Sequence, residues 1–400
     1  MLDKIPSDAP RASADHRIPA YDGVRGIAIL LILLYHFASS LTVLGLAGPI
    51  LDVFQFGWCG VDVFFALSGF LITGILLDSK SSPNYFRSFY SRRVLRIFPL
   101  CYGALLIVFL LRTAFSDAGV WGVHDTLWAP GSLVWPALFL ENVPIAIWGP
   151  DATGLVTHYW SLAVEEHFYL LWPLLIWIAP RNWAAAFSIL AAVGSIAGRA
   201  LALHRGLDTD LVFGITPLRM DGLAIGALGA IVLRAHPAVA LTRPAMITFI
   251  TGLALATALF VLRKSAYQSD PVIWVWGYPI IAICTTAALL ASTAGGWLAR
   301  LLSLPLLRWF GKYSFGLYVW HPIVGMLLFH SRLALVPAGA PAPVIVIIVA
   351  LVFALNLGVA WVSFHFWEKY FLDFKRYIPA TTAKAAPARD IAVHFPVSEF

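Results

Sequence analysis

Charge is what this chain has least of. Asp, Glu, Lys and Arg make up 12% of its 400 residues, about half the share usual in a soluble domain. Hydrophobic residues make up 60%, and mean hydropathy is +0.82. No water-soluble core hides that much apolar surface, so soluble, disordered and collagen-like classes are excluded and the surplus faces lipid. Cysteine is scarce as well. Cys59, Cys101 and Cys284 form no CxxC pair, which excludes a disulfide framework and leaves no metal site to expect. Residues 1–20 hold Pro6, Pro10 and Pro19 but neither an apolar h-region nor a small-residue cleavage site, so the first apolar run is expected to stay in the mature protein. The net charge of +6 comes without a compact basic domain, so nucleic acid is not an expected partner.

What the chain has is length of apolar run. Stretches able to cross a ~30 Å hydrocarbon core lie at 22–46, 57–77, 94–112, 159–179, 184–203, 212–234, 245–262, 272–292, 312–330 and 344–367. An eleventh, 132–148, is shorter and broken by Pro136, Glu141, Asn142 and Pro144. The positive-inside rule decides its status. Without it as a span, and with a cytoplasmic N-terminus, the outer side receives only Arg112, Arg199, Arg205, Arg263, Lys264 and Arg332. Arg219 lies within the membrane, and the other 20 of the 27 Lys and Arg fall inside. With it as a span, the division is 14 against 12, which carries no signal. The sequence therefore predicts an all-α, polytopic transmembrane helix bundle of about ten spans with both termini cytoplasmic. A polar segment, 1–20, precedes a membrane domain, 21–370, and a cytoplasmic tail, 371–400. Residues 113–158 form an outer segment dipping partly into the membrane.

Ionisable residues inside spans are costly and mark function by default. Arg25 and His36 are eleven residues apart. At about 100° per residue they share a helix face, and at 1.5 Å per residue they are about 16.5 Å apart along the axis. An anionic molecule held at Arg25 could thus reach His36 with a long neutral arm. Arg92, Arg93 and Arg96 open the third run at the same predicted face. Arg93 and Arg96, spaced i, i+3, can form a two-guanidinium phosphate clamp; as a bland alternative they anchor topology. Glu165 and Glu166 lie about 9 Å into the fourth run, about 100° apart, so one can pair while the other faces a cavity. Arg219 and Asp221 point about 200° apart on the sixth run, so each needs a partner on another helix. Gly222 and Gly226 on the same run make a small-xxx-small packing face. Asp62 lies near the outer end of the second run, with Ser68 at mid-depth, and His321 lies about 13 Å into the ninth.

Together these residues resemble the acyltransferase 3 family of multi-pass bacterial membrane O-acyltransferases. The resemblance rests on Arg25–x10–His36, the Gly60–Phe70 run, the RxxR of Arg93 and Arg96, the Trp160–Glu166 run WSLAVEE, and Tyr313–His321. They recur in order from residue 21 to about 370. His167 departs from the Gln expected after the paired Glu. The resemblance implies a cytoplasmic acyl-CoA donor, expected to be acetyl-CoA, and a hydroxyl acceptor on a sugar or glycoconjugate, in the bacterial inner membrane. With that donor and acceptor, His36, Glu165 and Glu166 are expected to serve catalysis, Arg25, Arg93 and Arg96 to hold coenzyme A, and Asp62, Arg219, Asp221 and His321 to contact the substrate. The C-terminal hydrolase-like domain of some members has no counterpart here, so a second acyl-carrying step is expected to need a separate protein. The competing reading is a secondary transporter or flippase for an anionic lipid or glycan. It explains intramembrane charges equally well but not an arginine cluster leading inward to one histidine. Neither acyl length nor oligomeric state is legible.

Overall fold

The computed structural model describes residues 18–115, 133–149, 154–263, 270–329 and 339–379. Most of the 1–20 segment, most of the 371–400 tail and the middle of the 113–158 segment lie outside the described residues. Among the described residues there are ten long helices and no strand. They are α1 (Pro19–Val43), α2 (Gly60–Ser79), α3 (Tyr85–Phe115), α4 (Tyr159–Ile178), α5 (Arg181–His204), α6 (Thr216–Ala235), α7 (Ala238–Arg263), α8 (Tyr278–Ser292), α9 (Pro305–Phe329) and α10 (Ala342–Ser363). Proline opens α1 at a position whose N–H has no helical partner, where its fixed φ suits the first turn. Residues 133–149 hold only two short helices, Val134–Ala137 and Asn142–Trp148, neither long enough to span.

Among the described residues eight helices are long and apolar enough to cross a membrane: α1, α2, α3, α5, α6, α7, α10, and α8 counted with the π turn Ile273–Gly277 that precedes it. The protein is a polytopic helix bundle. Helices α4 and α9 have 20 and 25 residues but carry Glu165, Glu166 and His167, and Arg308, Lys312 and His321. The expected ten thus resolve into eight apolar helices and two diluted by polar residues, of which Glu165, Arg308 and Lys312 line an internal cavity.

Packing places α1 against α9 and α2, α6 against α2, α5 and α8, and α9 against α10. The α2–α6 contact is a backbone approach. A Cβ on Gly69 would lie 1.9 Å from the Leu223 carbonyl oxygen, and one on Gly226 would lie 2.0 Å from that of Ala66. Only glycine fits at such a crossing. The α2–α4 contact is pinned by Trp172 Nε1, which donates to Thr73 Oγ1 at 2.8 Å.

Candidate functional site

Helices α1, α2, α3, α4 and α9, with the segment after α10, enclose a cavity of about 1110 Å³. Its lining follows from the sequence spacing of each helix. On α4, Ser161, Glu165 and Tyr169 recur every fourth residue; on α2, Val61, Phe64 or Phe65, Ser68 and Leu71 or Ile72 follow the same period, and these residues face the cavity. Three zones follow along it.

One end is basic. Arg25, Arg92, Arg93, Arg96, Arg308, Lys312, Lys369, Lys375 and Arg376 line the cavity, against only Asp22, Glu165 and Asp373. The expected grouping of Arg25, Arg93 and Arg96 is realised in space. Arg93 stands 5.9 Å over the Tyr169 ring and Arg96 5.5 Å over that of Phe315. These cation–π contacts aim the guanidinium groups without neutralising them. Among the described residues neither forms an ion pair, whereas Arg25 pairs with Asp22 at 2.7 Å.

The middle zone is a hydroxyl–carboxylate knot. Ser68 Oγ donates to Glu165 Oε1 at 2.8 Å, and the Tyr169 hydroxyl lies 3.0 Å from Glu165 Oε2 and 3.2 Å from Ser68 Oγ. Glu166, a hundred degrees round α4, does not line the cavity, and its Oε1 is buried with no hydrogen-bond partner. His167 turns the other way. Its Nδ1 lies 2.7 Å from Thr216 Oγ1, which also accepts from Asn142 Nδ2 at 2.7 Å. His167 therefore ties α4 to the start of α6.

The far end closes on hydroxyls, with histidines behind them. Tyr318 donates to the His158 carbonyl at 2.8 Å, and the Ser161 hydroxyl contacts the same Tyr318 oxygen. Beyond Tyr318 stand His321 and His36, edge to face with ring centroids 4.7 Å apart. His158 adds a third ring, 6.0 Å from that of His321. Nδ1 of His36 lies 2.9 Å from the Ile32 carbonyl, and Nδ1 of His321 lies 2.8 Å from that of Leu317. A proton on each Nδ1 satisfies those carbonyls and leaves each Nε2 a lone-pair nitrogen. His321 is 3% exposed and its Nε2 has no hydrogen-bond partner. His36 itself is not part of the cavity lining. Tyr318 and Ser161 close the cavity on that side, and His36 stands beyond them as an exposed residue.

Asp62, Arg219 and Asp221 lie elsewhere. Arg219 Nη2 donates to Asp62 Oδ1 at 2.8 Å, and Arg199 Nη2 to Asp221 Oδ2 at 2.5 Å. Arg219 also sits 3.8 Å over the Tyr278 ring. All four charges are buried, and they knit α2, α5, α6 and α8 together away from the cavity lining. Each of Arg219 and Asp221 does find its partner on another helix, as their spacing requires.

His158, Ser161, Tyr169, Tyr318 and Lys375 are site residues that motif reading passed over. The signal for four of them was present. His158, Ser161, Glu165 and Tyr169 follow i, i+3, i+7, i+11, a polar stripe on one face, and Tyr318 stands one turn before His321.

The fold and the site define a polytopic membrane domain built round an internal cationic cavity with a cluster of histidines beyond its far end. Residues 18–363 match the family described as the acyltransferase domain, and the chain belongs to that family. It is similar to the peptidoglycan O-acetyltransferase OatA of Listeria monocytogenes, 28% identical over 327 residues that cover 77% of this chain and 49% of the relative. The putative peptidoglycan O-acetyltransferase YrhL of Bacillus subtilis is 28% identical over 77% of this chain and 49% of the relative. The O-acetyltransferase OatA of Staphylococcus aureus is 27% identical over 77% and 50%. The chain spans about half the length of the curated relatives it matches. No solved structure matches it.

Proposed function

We propose that the protein is an integral-membrane O-acyltransferase of the bacterial inner membrane. It moves an acyl group from a coenzyme A thioester to a hydroxyl of a glycan or glycoconjugate. The names of its relatives favour acetyl as the group and a peptidoglycan-like sugar as the acceptor. The observation that carries this reading is the polarity of the cavity, with nine basic residues against three acidic ones at its lining and lone-pair histidine nitrogens behind its far end. A phosphorylated head suits the first, a thioester arm the apolar walls of Val61, Phe64 and Leu71, and an acceptor hydroxyl the second.

In this reading Nε2 of His36 takes the proton of the acceptor hydroxyl as its oxygen attacks the thioester carbonyl carbon. The tetrahedral intermediate collapses by breaking the carbon–sulfur bond, and the imidazolium returns its proton to the thiolate. Tyr318 and Ser161 stand at the cavity end nearest the histidines, so the thioester passes that hydroxyl pair while the acceptor reaches His36 from its exposed side. Glu165, held by Ser68 and Tyr169, orients the arm in mid-cavity. Asp62, Arg219 and Asp221 support the walls rather than touch the donor. The basic mouth opens to the cytoplasm, where acyl-CoA is made.

The donor half is tested by replacing both clamp residues. Arg93→Ala with Arg96→Ala removes two charge-assisted contacts worth roughly 1.5–3 kcal/mol each, so coenzyme A affinity falls by two decades or more in calorimetry on purified protein. Unchanged affinity in a stably folded double variant would leave these arginines as topology anchors and remove the donor assignment.

A further inference from the structure

The family match stops at residue 363, but the chain does not leave the site there. Beyond α10 it runs through a π turn (Phe364–Glu368), a short helix (Lys369–Asp373) and a 3-10 turn (Phe374–Tyr377). This stretch is tied to α3 at two points. Trp367 Nε1 donates to the Pro99 carbonyl at 2.9 Å, and Arg92 Nη2 to the Ile378 carbonyl at 3.4 Å. It lies across the basic end of the cavity and supplies part of its lining.

Lys375 is the unusual residue in it. Only 5% exposed, it lines the cavity beside Arg92, Arg93 and Arg96, and no described carboxylate pairs with it. The acids of the segment are placed otherwise. Glu368 Oε1 accepts from Ser363 at 3.2 Å, and Asp373 lines the cavity without an ion pair. A buried ammonium among guanidinium groups is costly in an empty site, and the cost is removed when an anion enters. One phosphate satisfies the two-guanidinium clamp on α3. A second cationic group on a separate element calls for a second phosphate.

We propose that Phe364–Pro379 is a strap across the donor mouth, and that Lys375 binds a phosphate of the donor's nucleotide head. The site then selects a thioester carrying several phosphates over a bare pantetheine thioester. This rests on the acyl-CoA reading above and assigns a phosphate contact outside the matched domain.

The test titrates the purified full-length protein with coenzyme A and with pantetheine. Lys375→Met keeps bulk and removes charge, so coenzyme A affinity falls by roughly tenfold to a hundredfold while pantetheine binding is unchanged. Lys375→Arg retains most of the coenzyme A affinity. A folded Lys375→Met protein that binds coenzyme A like the wild type overturns the strap and leaves the donor reading intact. A wild-type protein blind to coenzyme A overturns both. Should Lys375→Met fail to fold, amine labelling of wild-type Lys375 read by mass spectrometry takes its place. Coenzyme A slows that labelling and pantetheine does not; labelling indifferent to saturating coenzyme A overturns the proposal.

Discussion

At the scale of single residues, the molecule is organised by where its few charges go. Asp62 and Arg219 are both almost fully buried and bonded at 2.8 Å. Breaking such a pair from one side leaves an uncompensated charge and costs about 3–5 kcal/mol. Asp62→Ala should therefore lower the thermal unfolding midpoint sharply, and Asp62→Ala with Arg219→Leu should recover part of the loss. An Asp62→Ala protein that melts like the wild type would show that the pair does not hold the fold. The need for such partners was legible: Arg219 and Asp221 on one helix cannot share a face. Their identity was not, because Asp62 lies 157 residues from Arg219 and helix spacing carries no information across that distance. His36 was legible as the histidine that shares the Arg25 face. The side chains between it and the cavity were not, since Tyr318 and Ser161 meet only through the packing of α9 on α4. Lys375 was hidden in a stretch whose composition reads as tail.

At the scale of helices, the apolar runs marked most of the bundle, and their ends were the weak point. The third run was expected over 94–112, but α3 begins at Tyr85. Its first turns are rich in Arg and Ser, which a hydropathy window scores as loop, although arginine is a good helix former. The same holds for α9, which starts at Pro305 rather than near 312. The packing face of Gly222 and Gly226 was legible as small residues one turn apart. That Gly69 answers them from α2 emerges only in three dimensions. Gly69→Ala and Gly226→Ala each push a methyl group to within about 2 Å of a carbonyl oxygen. Such overpacking costs roughly 1–3 kcal/mol or more. Both variants should unfold at lower temperature than the wild type, and Gly358→Ala, whose added Cβ meets nothing within 4 Å, should not. Equal melting of all three would remove the close crossing of α2 and α6.

At the scale of the whole molecule, the charge asymmetry along the sequence and the polarity of the cavity point the same way. The basic mouth, the turn at Ser81 and the strap share the side predicted to be cytoplasmic, and the turn at Leu207 lies on the other. Single cysteines placed at the exposed positions Ser81 and Leu207 read this directly. An impermeant maleimide added outside intact cells should label Leu207→Cys and spare Ser81→Cys; the reverse pattern would invert the orientation. The central claim is that a donor bound by its phosphates at one end of the cavity is attacked at the other by a hydroxyl that His36 deprotonates. Purified His36→Gln protein tests this most directly, assayed for acetyl transfer from acetyl-CoA to a glycan acceptor with coenzyme A affinity measured on the same sample. Gln keeps bulk and hydrogen bonding but takes up no proton. The prediction is a transfer rate lower by at least ~10²–10⁴ with coenzyme A affinity retained. A folded His36→Gln protein that binds coenzyme A and transfers at near wild-type rate would contradict it.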